Sequence, residues 1–327
     1  MKRLVPLLLT AVLIFLGVAC SSSDEKVGQT DYYPLAVGNT WTYVIKSPGS
    51  GGGAPAPPPP APGGPGGQPG GQPGGQPGAG GPGAPGGPGG GTPPAPSGPK
   101  LVHRVTKHER KGDVLCARIE TQVDGKVTHT EHIGVTKDGI YCYARDDSKP
   151  DKPVLLLKLP AEKGSEWKAE MVLSKGKYTG TMNVTEETVS VPAGQFNALI
   201  AGGKLTCDQV SNEASLAFVK ELGIVRSKMD SGSGAYEMEL ESCIVVTSSP
   251  PAYAPGETFT YAPAIVAKPA GSPKIKLDSG PEGMSISSAG ELTWNVPNKF
   301  SGDVPVTITI TDAAKNETVR TFKLKKK

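Results

Sequence analysis

The sequence predicts an all-β protein, built as two folded units with a long Gly/Pro-rich insertion inside the first. Three observations carry this. Apolar and polar residues alternate with a period of two in many runs of five to fourteen residues. Those runs are bounded by Gly, Asp-Gly or Pro. No amphipathic helical pattern extends beyond three turns.

The chain opens with Lys2 and Arg3, then an apolar run from Leu4 to Val18, then Ala19, Cys20 and three serines. A charged start, an apolar stretch and small residues before a cleavage point make an export signal over 1–19. The run is shorter than the ~20 residues a bilayer-spanning helix needs. With a cysteine at the cut, the pattern resembles a bacterial lipoprotein signal. That resemblance implies lipidation of Cys20, a membrane anchor and, with Ser21 next, the outer membrane. Residues 20–30 read as a tether.

Thr40-Trp-Thr-Tyr-Val-Ile45 is the first strand. Residues 47–99 follow, without one charged or aromatic side chain, holding half of the 44 Gly and more than half of the 33 Pro. The motif Gly-Gly-Gln-Pro repeats at Gly66–Pro69, Gly70–Pro73 and Gly74–Pro77. A period of four excludes collagen. Nothing in this segment can be buried to offset its ordering entropy, so it is expected to be disordered. Because Leu101–Lys107 again reads as a strand, the tract is an insertion in a hairpin. Closure entropy grows with the logarithm of length, so ~50 residues in place of four cost only about 2 kcal/mol.

From 31 to 247 the strands expected are Val114–Thr121, Lys126–Ile133, Gly139–Ala144, Val154–Leu159, Glu166–Leu173, Tyr178–Val191, Phe196–Thr206, Leu216–Lys220 and Ala235–Val246. Asp124-Gly125 and Asp138-Gly139 are hairpin turns. In the last run Tyr236, Met238 and Leu240 share one face, and Glu237, Glu239 and Glu241 the other. The landmarks Asp31–Tyr43, Leu157–Pro160, Gly164–Trp167, Val191–Phe196 and Leu222–Val225 resemble, in order, a family of exported bacterial β domains. The resemblance implies a curved antiparallel half-barrel, similar to the periplasmic lipoprotein carriers. Members of that wider group hold acyl chains on the concave face.

Ser248-Ser-Pro-Pro251 marks a boundary, and a second unit spans 248–327. Its runs Gly256–Tyr261, Gly280–Ile286, Gly290–Trp294 and Val306–Asp312 closely resemble the putative-Ig, dystroglycan-type cadherin-like domain. The resemblance implies a β-sandwich of about seven strands. Trp294 is expected in its core. Relatives bind calcium through acidic loops, whereas this chain has Lys268–Lys274 at the corresponding loop. Asp312 lacks acidic neighbours, so it is expected to be a turn residue and no calcium is expected.

Apart from Cys20, four cysteines remain: Cys116, Cys142, Cys207 and Cys243. An even number in an exported chain predicts two disulfides. Three connectivities exist; Cys116–Cys142 and Cys207–Cys243 are favoured because each pair falls in neighbouring predicted strands. No two lie close enough in sequence for the usual zinc spacing.

No catalytic set emerges. Ser231–Gly234 lacks the spacing of a nucleophile elbow, and Gly202–Thr206 lacks the residues of a phosphate loop. His129 and His132 point to opposite strand faces, and His103 and His108 read as solvated. Asp146-Asp147 and Glu186-Glu187 face apart. A net charge of +3 argues against a nucleic-acid partner. The expectation is a lipid-anchored, non-enzymatic envelope protein with no cofactor. Its C-terminal sandwich would serve as an adhesion or glycan- or protein-binding module. The alternative is a binder of lipid or another hydrophobic ligand on the concave face.

Overall fold

The computed structural model describes residues 27–46, 100–146, 150, 152–173, 176–208, 210–230 and 235–327. The export signal, Cys20 and the tract 47–99 therefore lie outside the described residues.

All regular elements among these residues are strands. The first twelve are β1 (Thr40–Lys46), β2 (Lys100–Lys111), β3 (Val114–Val123), β4 (Lys126–Thr136), β5 (Gly139–Arg145) and β6 (Val154–Lys158), then β7 (Glu166–Leu173), β8 (Gly176–Val191), β9 (Gly194–Cys207), β10 (Val210–Val219), β11 (Gly223–Asp230) and β12 (Ala235–Val246). They form one antiparallel sheet in the order β6-β5-β4-β3-β2-β1-β12-β11-β10-β9-β8-β7. The sheet curls until its end strands, β6 and β7, come back into contact, which closes it further than a half-barrel.

The first hairpin is the one expected. β1 pairs with β2 from Thr40↔Arg104 to Val44↔Lys100, across the 53 intervening residues 47–99. Both Asp-Gly turns connect neighbouring strands, for different reasons. Asp124 and Gly125 both take positive φ (51° and 75°), the mirror-image turn that matches strand twist. Gly139 instead permits close approach: a Cβ there would lie 2.4 Å from Leu155 Cδ1 and 2.8 Å from the Leu157 carbonyl oxygen. One strand escaped the sequence reading. β11 has a short alternating run, and a bulge opposite Ala217/Phe218 breaks its period.

The concave side holds an aromatic and aliphatic core. Trp41, Tyr43, Val105, Ile119, Ile140, Leu157, Phe218 and Leu240 are all essentially inaccessible. Trp41 and Tyr43 stay buried because their polar ends are satisfied: Nε1 donates to the Leu222 carbonyl at 2.6 Å and the phenol to the Ile224 carbonyl at 2.8 Å.

Seven strands follow: β13 (Thr258–Tyr261), β14 (Ile265–Lys268), β15 (Lys274–Ser279), β16 (Ser285–Ile286), β17 (Leu292–Asn295), β18 (Val304–Thr311) and β19 (Glu317–Leu324). Six form two facing three-stranded sheets, β13-β17-β16 and β15-β18-β19. Trp294 is in the core between them, edge-to-face with Tyr253 and Phe300 at 5.6 and 5.0 Å. The seventh, β14, pairs with β12 instead, from Cys243↔Lys268 to Val246↔Ile265.

That pairing joins the two units. One edge of β12 meets β11 over residues 235–239, then the Ala193 N–H at the Leu240 carbonyl, then β14. Its end is also two-faced: Cys243 and Val245 belong to the large core, Ile244 and Val246 to the sandwich core. The boundary read at 248 falls two residues past the end of a strand that serves both units. Side chains reinforce the joint. Asn39 Oδ1 accepts from the Val246 N–H at 2.8 Å, and the Thr318 hydroxyl donates to the Gly38 carbonyl at 2.5 Å. Arg320 Nη2 reaches the Ser248 carbonyl at 3.3 Å and Asn316 Nδ2 the Ser242 hydroxyl at 3.2 Å.

Candidate binding surfaces and buried polar clusters

The segment 27–39 lies against the core of the curled sheet. Val27, Tyr33 and Leu35 are buried in it, and the Tyr33 ring meets Trp41 and Phe218 edge-on at 5.7 and 6.4 Å. The segment spans the sheet. At one end a Cβ on Gly28 would lie 2.1 Å from the Val135 carbonyl oxygen; at the other the Glu221 N–H donates to the Asp31 carbonyl at 2.6 Å. Among the described residues, the concave face therefore carries packed side chains where an acyl chain would need an open apolar cavity.

The favoured disulfides are not formed. Cys116, Cys142 and Cys243 are buried free thiols. The strand order gives the reason. β4 lies between β3 and β5, so Cys116 and Cys142 sit two strand spacings apart, roughly 10 Å. Cys207 ends β9, and β10 and β11 separate it from Cys243 by three spacings, roughly 14 Å. Both exceed the ~7 Å between Cα atoms that a bridge tolerates. Burial pushes the Cys116 thiol up to about 11 and the Cys142 and Cys243 thiols up to about 12. They behave as small apolar core residues.

Each histidine has its own partner. His129 Nδ1 is 2.6 Å from Asp146 Oδ2, and His132 Nε2 hydrogen-bonds Glu109. The two rings thus serve separate carboxylates, in keeping with opposite strand faces. Glu109 also meets Lys107 at 2.5 Å and Lys111 at 3.3 Å, and the Lys107 hydrogen bond leads in holding its carboxyl down to about 2. His103 and His108 were expected in solvent; His108 is exposed, whereas His103 is half-buried. His103 packs on the Tyr43 ring at 4.9 Å, and burial pushes it down to about 4. His108 Nε2 sits 2.7 Å from the Leu35 carbonyl and is lowered by the same cause. Arg145 clasps Glu131 at 2.6 and 3.0 Å, so that carboxylate is neutralised in place.

The glutamate face of β12 is a ladder of ion pairs: Glu237 with Lys228 (3.0 Å), Glu239 with Lys46 (2.7 Å) and Glu241 with Lys100 (2.8 Å). Glu239 is buried beneath its lysine, so this face is drier than the alternation implies. Asp312 caps the β18–β19 turn. Its two carboxylate oxygens accept from the Asn316 N–H and side-chain amide, both at 2.8 Å. Among the described residues no cluster of three or more His, Cys, Asp or Glu is arranged to hold a metal.

Among the described residues, three open surfaces stand out. The outward side of β15-β18-β19 presents Thr307, Thr309 and Thr311, bonded across the sheet to Thr321, Asp278 and Glu317. A shallow groove of about 500 Å³ crosses β9–β12 between Lys204, Glu213, Ser215, Lys228 and Glu237. A second groove of about 560 Å³ runs between the end strands of the curled sheet. Lys152, Val154 and Leu155 form one bank and Lys168, Ala169 and Glu170 the other. Sequence reasoning had no access to this last surface. Nothing local in Val154–Leu159 or Glu166–Leu173 says that these two strands end the sheet and face each other.

Residues 231–326 match a family model described as "Putative Ig domain". Among solved structures the chain is similar to a putative exported protein with YmcC-like fold from Bacteroides fragilis. The identity is 12%, covering 64% of this chain and 97% of that one, with a TM-score of 0.33. It is also similar to a putative lipoprotein from Parabacteroides distasonis, at 8% identity over 66% of this chain and 100% of that one, TM-score 0.29. No curated protein matches the chain. The stretch similar to that family takes in the whole of β12 and both facing sheets.

Proposed function

We propose that this is a lipid-anchored protein of the cell envelope, acting as a non-enzymatic binding or structural module. The Ig-like domain would be the part that meets a protein or glycan partner. The observation that carries this reading is the mounting of that domain. It is fixed to the curled sheet by β12, β14 and a hydrogen-bonded joint, and it leaves the threonine-rich side of β15-β18-β19 outward. A domain held in one orientation presents a pre-organised surface and loses less freedom on binding. The aromatic core and the 27–39 segment weigh against acyl-chain carriage on the concave face. The export signal and Cys20 support the anchor, since several acyl chains on one residue hold a protein stably in a membrane.

The test is fractionation and protease shaving of cells carrying the parent chain or Cys20→Ala, with antibodies to each unit. The parent should sediment with membranes, and Cys20→Ala should move to the soluble fraction. Retention of Cys20→Ala on membranes would reject the anchor. Cleavage on intact cells would favour adhesion at the surface, and protection until the envelope is breached would favour the structural role.

A further inference from the structure

We infer that the open seam between β6 and β7 is a docking site for an extended, acidic peptide strand. The site is independent of the anchor and of the Ig-like domain.

The argument begins with hydrogen bonding. β6 and β7 end the twelve-strand path, so each leaves one edge of backbone N–H and C=O groups outside the ladder. Unpaired edges are templates for another strand. Here two such edges face each other. They approach at the closed end, where Lys158 Nζ reaches the Glu166 carbonyl at 3.4 Å, and the groove of about 560 Å³ lies beyond. A strand entering it gains ladder partners on both sides, the mode by which sheets take up extended peptides.

Side chains set the chemistry of the occupant. Val154 and Ala169 offer an apolar floor on the two banks. Lys152 and Lys168 stand on opposite banks, and among the described residues neither is ion-paired; Lys168 instead donates to the Thr181 hydroxyl at 2.8 Å. Glu170, the acid among the described lining residues, is already taken by Lys177 at 2.7 Å. Among the described residues of the groove the unneutralised charge is positive on both sides, which fits carboxylates alternating with apolar residues along the incoming strand. The chain's own Gly-Gly-Gln-Pro repeats do not fit, since they carry no acid and a proline at every fourth residue removes ladder donors.

The experiment uses the full chain with two synthetic probes, acetyl-(Val-Glu)4-amide and acetyl-(Val-Lys)4-amide, read by hydrogen exchange and fluorescence anisotropy. The acidic peptide should protect amides in both β6 and β7 and bind at least tenfold more tightly than the basic one. Lys152→Glu/Lys168→Glu, two exposed changes, should reverse that preference. Protection of neither edge, or equal binding of both peptides, would overturn the proposal. So would self-association of the double variant when the parent binds neither probe, because the lysines would then be guards against edge-to-edge pairing.

Discussion

His103 shows what one side chain contributes when alternation hides its surroundings. It lies opposite Trp41 on β1 and Thr121 on β3, with the Tyr43 ring over it and Glu131 and His129 nearby. Burial dominates and favours the neutral ring. A histidine whose folded pKa of about 4 lies below its unfolded value of 6.5 contributes its full stability above the higher figure. As pH falls from 6.5 towards 4 the unfolded chain binds the extra proton and that stability is lost, up to about 3 kcal/mol. His108 and His132 are shifted in the same direction and add to the effect. Urea midpoints should therefore fall between pH 7 and pH 4.5, and His103→Gln should flatten the slope. An unchanged slope in that variant would reassign the dependence to the other two rings. The sequence carried the histidines but not the burial of His103 and His132, because those rings sit on mixed strands where polar neighbours flank apolar ones.

At the scale of strands, most of the architecture was legible. Alternation and turn residues located the strands of the curled sheet except β11, and the β7 and β12 bounds fell where the runs end. Strand order was not legible, and the cysteines show its consequence. Two residues in strands close in sequence were expected to bridge, yet β4 intervenes in one case and β10 with β11 in the other. Cys116, Cys142 and Cys243 should accordingly be silent to a thiol reagent in the native protein and react only in denaturant. A reducing agent should leave the melting temperature unchanged. A drop of several degrees on reduction would restore the covalent reading. The seam between β6 and β7 was hidden for the same reason, since a strand's status as an edge is a property of the whole sheet.

At the scale of the molecule, the two units share a strand, and their stabilities are coupled. Ile244 and Val246 complete the sandwich core, while Cys243 and Val245 complete the other. Cutting at the Ser-Pro-Pro connection removes from 248–327 both apolar side chains and the backbone partner of β14. Losing two fully buried aliphatic residues costs about 2 to 5 kcal/mol each by analogy with core truncations, enough to unfold a small domain. The fragment 248–327 should therefore be largely unfolded by circular dichroism, and the full chain should melt in one transition. Two separated transitions, or a folded fragment, would show that β12 belongs to the first unit alone.

The register of β1 on β2 has a further consequence. Val44 lies directly across from Lys100, so the departure and return of the intervening chain are held one strand apart by the sheet itself. For a connection already this long, doubling its length adds only about 0.6 kcal/mol. The fold therefore exerts almost no selection on how many repeats are strung between those two points, and copy number there is free to drift or to be tuned by whatever lies outside. In engineering terms it is an insertion port. A reporter or epitope spliced between Lys46 and Lys100 leaves the sheet's register intact.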